Sequence, residues 1–180
     1  MRHEVMGVLV ILSALCAAIW YVPAVAQSSL DISLEDYLKE VGQRAKLVPK
    51  GELKIDGKRK MCGNSPTVMD PKFDSWGGAY PGFVILNPVR LKGLPSVVKF
   101  YVYAHECGHQ FVGRDEEAAD CFAVKRGRRY GWLDAFGMAQ ICSFISKLKS
   151  DGEHDAGTVR CSKMRACFNS VAPRSAKKTD

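Results

Sequence analysis

The chain has no Cys-x-x-Cys pair, only four histidines, and no internal repeat or low-complexity tract. Without paired-cysteine spacing, a zinc module built on cysteine is disfavoured. Without repeats, the length of 180 residues suits one domain with one modest core. Basic residues are not interleaved with aromatics in any one run, so nucleic acid is not an expected partner. The few histidines are unevenly placed. His3 lies at the N-terminus, and two of the other three, His105 and His109, are four apart.

The first 26 residues read as a secretory signal. Arg2 supplies a positive start, an apolar run extends from Val5 to about Trp20, and Ala24-Val25-Ala26 offers a small-x-small cleavage site before Gln27. A membrane anchor is the alternative, but the run is short against the roughly 20 residues that span a bilayer. Leu15 precedes Cys16 where lipid attachment needs a small residue, so a lipoprotein is not expected. The mature chain is therefore expected to be exported, either periplasmic or secreted. Arg2 and Glu4 cancel, which leaves the net charge at +7 without the leader. That balance favours weak contact with anionic envelope surfaces. Lys58-Arg59-Lys60 reads as a solvated loop, and Lys125-Arg126-Gly127-Arg128-Arg129 as a helix C-terminus whose cations complement the dipole. Beyond the leader stand Cys62, Cys107, Cys121, Cys142, Cys161 and Cys167, an even number that suggests disulfides in an exported chain.

Hydrophobic periodicity predicts a helix over Leu34 to Lys46, broken by Pro49-Lys50-Gly51. Short strands are expected at Glu52 to Ile55 and Thr67 to Met69. A buried strand is expected in Tyr80 to Asn87, closed by Pro88. Ser96, after Pro95, is a candidate N-cap for a helix through Phe111. Val97 to Tyr103 is rich in β-branched and aromatic residues, which locally favour a strand. A central helix buried on all sides accommodates the same residues, and the run continues without a break to Gly113. Helices are also predicted from Asp115 to about Arg129 and from Leu133 to Lys149. The chain after Ser150 reads as loop-rich, and residues 172–180 as a disordered basic tail.

The chemistry concentrates in His105-Glu106-Cys107-Gly108-His109. Histidines at i and i+4 share a helix face and can ligate one metal ion, with Glu106 placed to take the proton of a bound water. A third ligand is needed, and a helical hairpin turning at Gly113 brings Glu116, Glu117 and Asp120 within reach. Glu116 and Asp120 share a face, while Glu117 is turned about 100° away. Glu116 is read as the ligand and Asp120 as the carboxylate that holds a ligand imidazole by its other N–H, with Asp120 the alternative ligand. An acidic first helical turn also serves the dipole and accounts for part of this cluster. The same hairpin puts Cys107 and Cys121 at neighbouring levels, where they form either a disulfide or two small buried contacts.

These residues resemble a known family. His105-Glu106-x-x-His109 followed by Glu116-x-x-Ala119-Asp120 is similar to the H-E-x-x-H and E-x-x-x-D pattern of gluzincin metallopeptidases of the HtpX and CAAX-prenyl-protease type. His154 to Arg160 looks like that family's H-P-x-x-x-x-R element, with Asp155 in place of the proline. Carried over, His105, His109 and Glu116 are the ligands of one Zn²⁺, Glu106 is the base, Asp120 orients a histidine, and His154 lies near the reacting atoms. The implied fold is α+β: a mainly helical zincin-like domain over residues 27–171. In it a central HExxH helix packs on an ExxAD helix, and a small sheet offers an edge strand to extended peptide. Tyr80 to Asn87 is the natural candidate for that strand. The chain departs from the family in having Glu116 only seven residues after His109 and in lacking a multi-span membrane segment.

The expected activity is peptide hydrolysis on a peptide or unfolded-protein substrate by a monomer. A zinc hydrolase of a cell-wall or other non-protein amide is the first alternative. A non-catalytic exported protein stapled by metal is the second. His154, Tyr80 and Tyr130 are the candidates to stabilise an oxyanion, and His154 is also a candidate extra ligand or a plain loop residue.

Overall fold

The computed structural model describes residues 32–173, so the expected leader and the tail beyond residue 173 lie outside the described residues. Asp31–Asp180 forms one compact unit, and the architecture is α+β. Strands β1 (Lys46–Val48), β4 (Thr67–Met69), β5 (Gly77–Tyr80) and β6 (Phe83–Leu86) make a sheet in the order β1-β4-β6-β5. Only the β4–β6 pair is parallel. Strands β2 (Lys54–Ile55) and β3 (Lys58–Arg59) form a separate hairpin.

Strand β6 explains why its sequence is apolar throughout. Side chains alternate across a sheet. Phe83 and Ile85 join Tyr37 and Val41 of helix α1 (Leu34–Val41) in one core cluster. Val84 and Leu86 enter the larger cluster beneath the helices. Both faces are covered, as expected of a strand without polar alternation. β6 therefore has a neighbour on each side, which corrects its assignment as the peptide-accepting edge. The edge beside the central helix is β5, the Gly77-Gly78-Ala79-Tyr80 segment. Glycines are depleted in strands, but here space demands them. A Cβ on Gly77 would stand 2.8 Å from Glu106 Cγ, and one on Gly78 2.5 Å from the Phe73 ring.

The short helix α2 (Pro88–Leu91) is capped by Asn87, whose side chain accepts from the Val89 and Arg90 N–H groups. Helix α3 (Ser96–Val112) follows, buried over most of its circumference as its composition requires. Ser96 is its first residue rather than its cap and donates to Asp56 at 2.7 Å. Gly113 ends it at φ +69°, a conformation L side chains rarely adopt. Asp115 then caps helix α4 (Glu116–Tyr130) by accepting from Ala118 N–H. Helix α5 (Ala135–Ile145) is shorter than its periodicity suggests. Gly42, at φ +58°, stops α1 well before Lys46, which belongs to β1.

The largest departure from expectation is helix α6 (Gly157–Asn169), in a stretch that reads as loop. Its inward positions are Gly157, Arg160, Met164 and Phe168. An arginine in that stripe hides the amphipathic pattern. Among the described residues, no helix is long and apolar enough to cross a membrane.

Three disulfides tie the elements together: Cys62–Cys107, Cys121–Cys167 and Cys142–Cys161. A Cys107–Cys121 bond, one of the two arrangements the hairpin allows, is not among them. The hairpin levels are as the sequence suggests, because Gly108 packs on Ala119, where a Cβ would come within 3.1 Å of the Ala119 Cα. Rotation about the helix axes decides the pairing. Cys107 is turned about 100° from Gly108, toward Cys62, and Cys121 about 200° from Ala119, toward α6.

Candidate metal centre

The crossing of α3 and α4 at Gly108 and Ala119 brings the chemical groups together. His105 Nε2 and His109 Nε2 are 3.2 Å apart. Glu116 places Oε2 3.0 Å from His105 Nε2 and Oε1 3.4 Å from His109 Nε2. The opposite nitrogen of each ring faces an oxygen. His105 Nδ1 faces Asp120 Oδ1 at 2.8 Å, and His109 Nδ1 faces the Gly113 carbonyl oxygen at 2.7 Å. A proton on Nδ1 of each ring would leave Nε2 free to ligate a metal; without a metal, burial disfavours the charged His105 ring but Asp120 and Glu116 outweigh it and push the imidazole up to about 10. Three lone-pair donors repel one another unless a cation lies between them. Glu116 Oε2 is buried and lies 3.0 Å from His105 Nε2 and 2.9 Å from His154 Nε2, where the rings converge. Ligands of a tetrahedral ion with metal–nitrogen bonds near 2.0–2.1 Å stand about 3.3 Å apart, close to the spacing here. His105, His109 and Glu116 therefore fit a metal ion. Asp120 is not in that group and lies on the far side of the His105 ring.

Asp120 is held by more than the sequence suggests. Tyr101 donates to its Oδ1 at 2.5 Å, and Arg160 donates through Nε to Oδ2 and through Nη2 to Oδ1, each at 2.8 Å. Burial disfavours the Asp120 charge, yet Arg160 and His105 outweigh it and hold the carboxyl well below the usual range. The network joins α3, α4 and α6 and fixes the His105 ring through one oxygen. Tyr101 precedes His105 by one helical turn, a spacing that could have signalled its role. Arg160 arrives from a helix that the sequence pattern concealed.

Glu106 stands next to the donor group but outside it, with its side chain over Gly77 of the edge strand. Burial pushes its carboxyl up to about 7, with His105 opposing and Glu116 reinforcing. His154 comes from the loop before α6. Its Nε2 is 2.9 Å from Glu116 Oε2, and its Nδ1 is 3.1 Å from both oxygens of Asp151. Asp151 also accepts from the backbone N–H groups of Glu153 and His154, so one carboxylate sets both the turn and the ring. Glu117 is turned away and pairs with Lys163. Tyr130 is 59% exposed, and its ring lies beside Arg126.

A cavity of about 270 Å³ opens beside Glu116 and His154, between the start of α4, the 150–155 loop and α6. Asp115, Glu117, Glu153, Asp155 and Lys163 contribute to its wall, and no apolar side chain lines it. Such a wall suits polar or cationic groups and not a hydrophobic one.

No family model, curated protein or solved structure matches the chain. The family likeness therefore rests on the motif residues themselves.

Proposed function

We propose that this chain is an exported zinc metallopeptidase that cleaves peptide bonds in extended or unfolded polypeptide. The observation that carries the reading is the position of Glu106: a carboxyl beside three metal donors, not one of them, and lying over an edge strand. A purely structural metal site has no use for a carboxyl there and is usually closed by a fourth ligand. A bound zinc ion would supply Lewis-acid polarisation of the substrate carbonyl and an acidified water.

The chain's own residues supply the rest. Among the described residues β5 is paired only with β6, so its outer edge offers backbone groups to an added peptide strand. Gly77 lets that strand run close over Glu106. Glu106 accepts a proton at its carboxylate and returns it to the leaving amine. Burial raises the Glu106 carboxyl above the usual carboxylate range, which favours its taking up the proton. Glu116 and Asp151 hold the His154 imidazole above its usual range, so both ring nitrogens carry a proton, and Nε2–H, which faces Glu116 at 2.9 Å, is the donor available to the carbonyl oxygen as it gains charge. Asp120 keeps Nε2 of His105 directed inward. The three disulfides fit a chain that works in an oxidising compartment.

The test is to produce the protein in an oxidising compartment, measure bound zinc, and follow hydrolysis of an unfolded protein with and without chelator. Glu106→Gln is expected to keep the metal and to lower turnover by about 10²–10⁴-fold. A wild type that holds no zinc, or a Glu106→Gln variant as active as wild type, would overturn the proposal.

A further inference from the structure

Lys125, Arg126, Arg128 and Arg129 crowd the C-terminal half of α4. The helix dipole accounts for Arg128 and Arg129 in the last turn, but not for Lys125 and Arg126. Arg128 turns inward to the Phe168 ring, 4.1 Å from its centroid. The other three share an arc of about 140° with Phe122 and Tyr130, at 100° per residue. Direct contacts extend this face. Phe111 stacks on Phe122 with ring centroids 5.3 Å apart. Arg126 donates to the Met61 carbonyl at 2.8 Å and lies 5.6 and 5.5 Å from the Phe122 and Tyr130 rings. Lys60 adjoins Met61 in sequence, and its ammonium packs 3.3 Å from the Phe100 ring centroid. No run of the sequence interleaves cations with aromatics, but the fold assembles such a surface from three separate segments.

Phe111, Tyr130 and Met61 are each more than half exposed, at 57%, 59% and 52%. Single exposed apolar side chains are ordinary, but three joined through one cationic side-chain network mark an interaction surface. We propose that this face docks on an anionic lipid bilayer. Lipid headgroups complement the cations, while the interfacial layer takes up Phe, Tyr and Met side chains. A soluble polyanion would match the cations alone and leave Phe111 and Met61 in water. Disulfides fit an oxidising compartment, where lipid provides an anionic surface and nucleic acid is not the usual partner. The proposal is independent of the hydrolase reading, since it uses no metal donor.

The compact unit Asp31–Asp180, which carries both core clusters and all three disulfides, is the material for the test. It is sedimented with vesicles of phosphatidylcholine alone or of phosphatidylcholine mixed with phosphatidylglycerol. Binding to the mixed vesicles only, weakened by salt, is expected. Each cation near a charged bilayer is worth about fivefold in affinity, so Lys125→Glu with Arg129→Glu should lower it by more than about 25-fold. Phe111→Ser with Met61→Ser should lower it by about fivefold or more, with circular dichroism unchanged. If the charge variant fails to fold, salt titration of the wild type reads the same contribution. Absence of binding, or binding that salt and charge reversal leave intact, overturns the proposal. So does equal binding to heparin or to a DNA oligonucleotide that is insensitive to Phe111→Ser with Met61→Ser.

Discussion

Two buried aspartates, one at each layer of the fold, are held by nearly the same groups. Asp70, after β4, accepts from Tyr37 Oη at 2.9 Å, Arg44 Nη2 at 3.2 Å and the Lys72 N–H at 2.9 Å. Asp120, on α4, accepts from Tyr101 Oη and from two nitrogens of Arg160. Each Tyr–Arg–Asp group ties separate elements together: α1 and the turn after it to the sheet in one case, and α3, α4 and α6 in the other. The difference lies in the remaining partner. At Asp70 it is a backbone N–H, and at Asp120 it is the His105 ring, whose other nitrogen faces Glu116 and His109. A buried carboxylate with a tyrosine and an arginine is a structural lock. It becomes part of the candidate metal centre when a histidine passes its orientation on.

The comparison is broken most directly by removing the two charges. Asp120→Asn leaves Arg160, 10% exposed, without its ion partner, and breaking a buried pair costs about 3–5 kcal/mol. It also releases the His105 ring, and loss of such an orienting carboxylate lowers metal affinity about 10–100-fold. Asp70→Asn leaves Arg44 free to turn to water, since that side chain is 42% exposed, and should cost only about 1–3 kcal/mol. Urea unfolding of the metal-free proteins and competitive zinc titration give the two quantities. Equal zinc affinities for both variants would mean that both aspartates are only locks.

A smaller effect sharpens the same contrast. Tyr101→Phe and Tyr37→Phe each remove one hydrogen bond to a buried carboxylate, worth about 1.5–3 kcal/mol. Tyr101 also accepts from Arg160 Nη2 at 3.2 Å, so Tyr101→Phe should shift the unfolding curve somewhat more than Tyr37→Phe. Only Tyr101→Phe should weaken zinc binding, by a few-fold, because Arg160 still grips Asp120. A Tyr37→Phe variant with altered zinc affinity would show the two layers to be coupled.

The sequence revealed the donors more readily than the network behind them. His105, His109 and Glu116 lie on adjoining helices whose spacing and hairpin turn can be read locally, and β4 is already visible at Thr67 to Met69. Strand β5 was hidden because Gly77 and Gly78 meet a steric need created by Glu106 and Phe73, residues distant in sequence. Helix α6 was hidden because its inward stripe includes Arg160, which is buried only because Asp120 receives it. Disulfide pairing depended on helix rotation, which hairpin level alone does not determine. Each of these features arises from contacts between distant segments and leaves no local periodic trace.

The smallest effect tests Asp70 through the shape of a curve. Burial alone would raise its carboxyl, but the Lys72 N–H, Arg44 and Tyr37 outweigh that and hold it below the usual range. In the unfolded chain an aspartate titrates near pH 3.9, about its reference value. Above that value both states are ionised, and the native hydrogen bonds contribute in full. As pH falls below it, the unfolded state takes up a proton before the native state does. Stability then declines until the native carboxyl is protonated too. Asp70→Asn has no such proton to bind. The stability gap between wild type and Asp70→Asn should therefore be constant from neutral pH down to about 5 and should narrow as pH falls through the acid range. Histidine protonation and metal loss act on both proteins alike, so they cancel in the difference. A gap that stays constant to the acid limit would mean that Asp70 titrates alike in both states. Its hydrogen bonds would then confer no preference for the charged form, and Asp70 would no longer be the counterpart of Asp120.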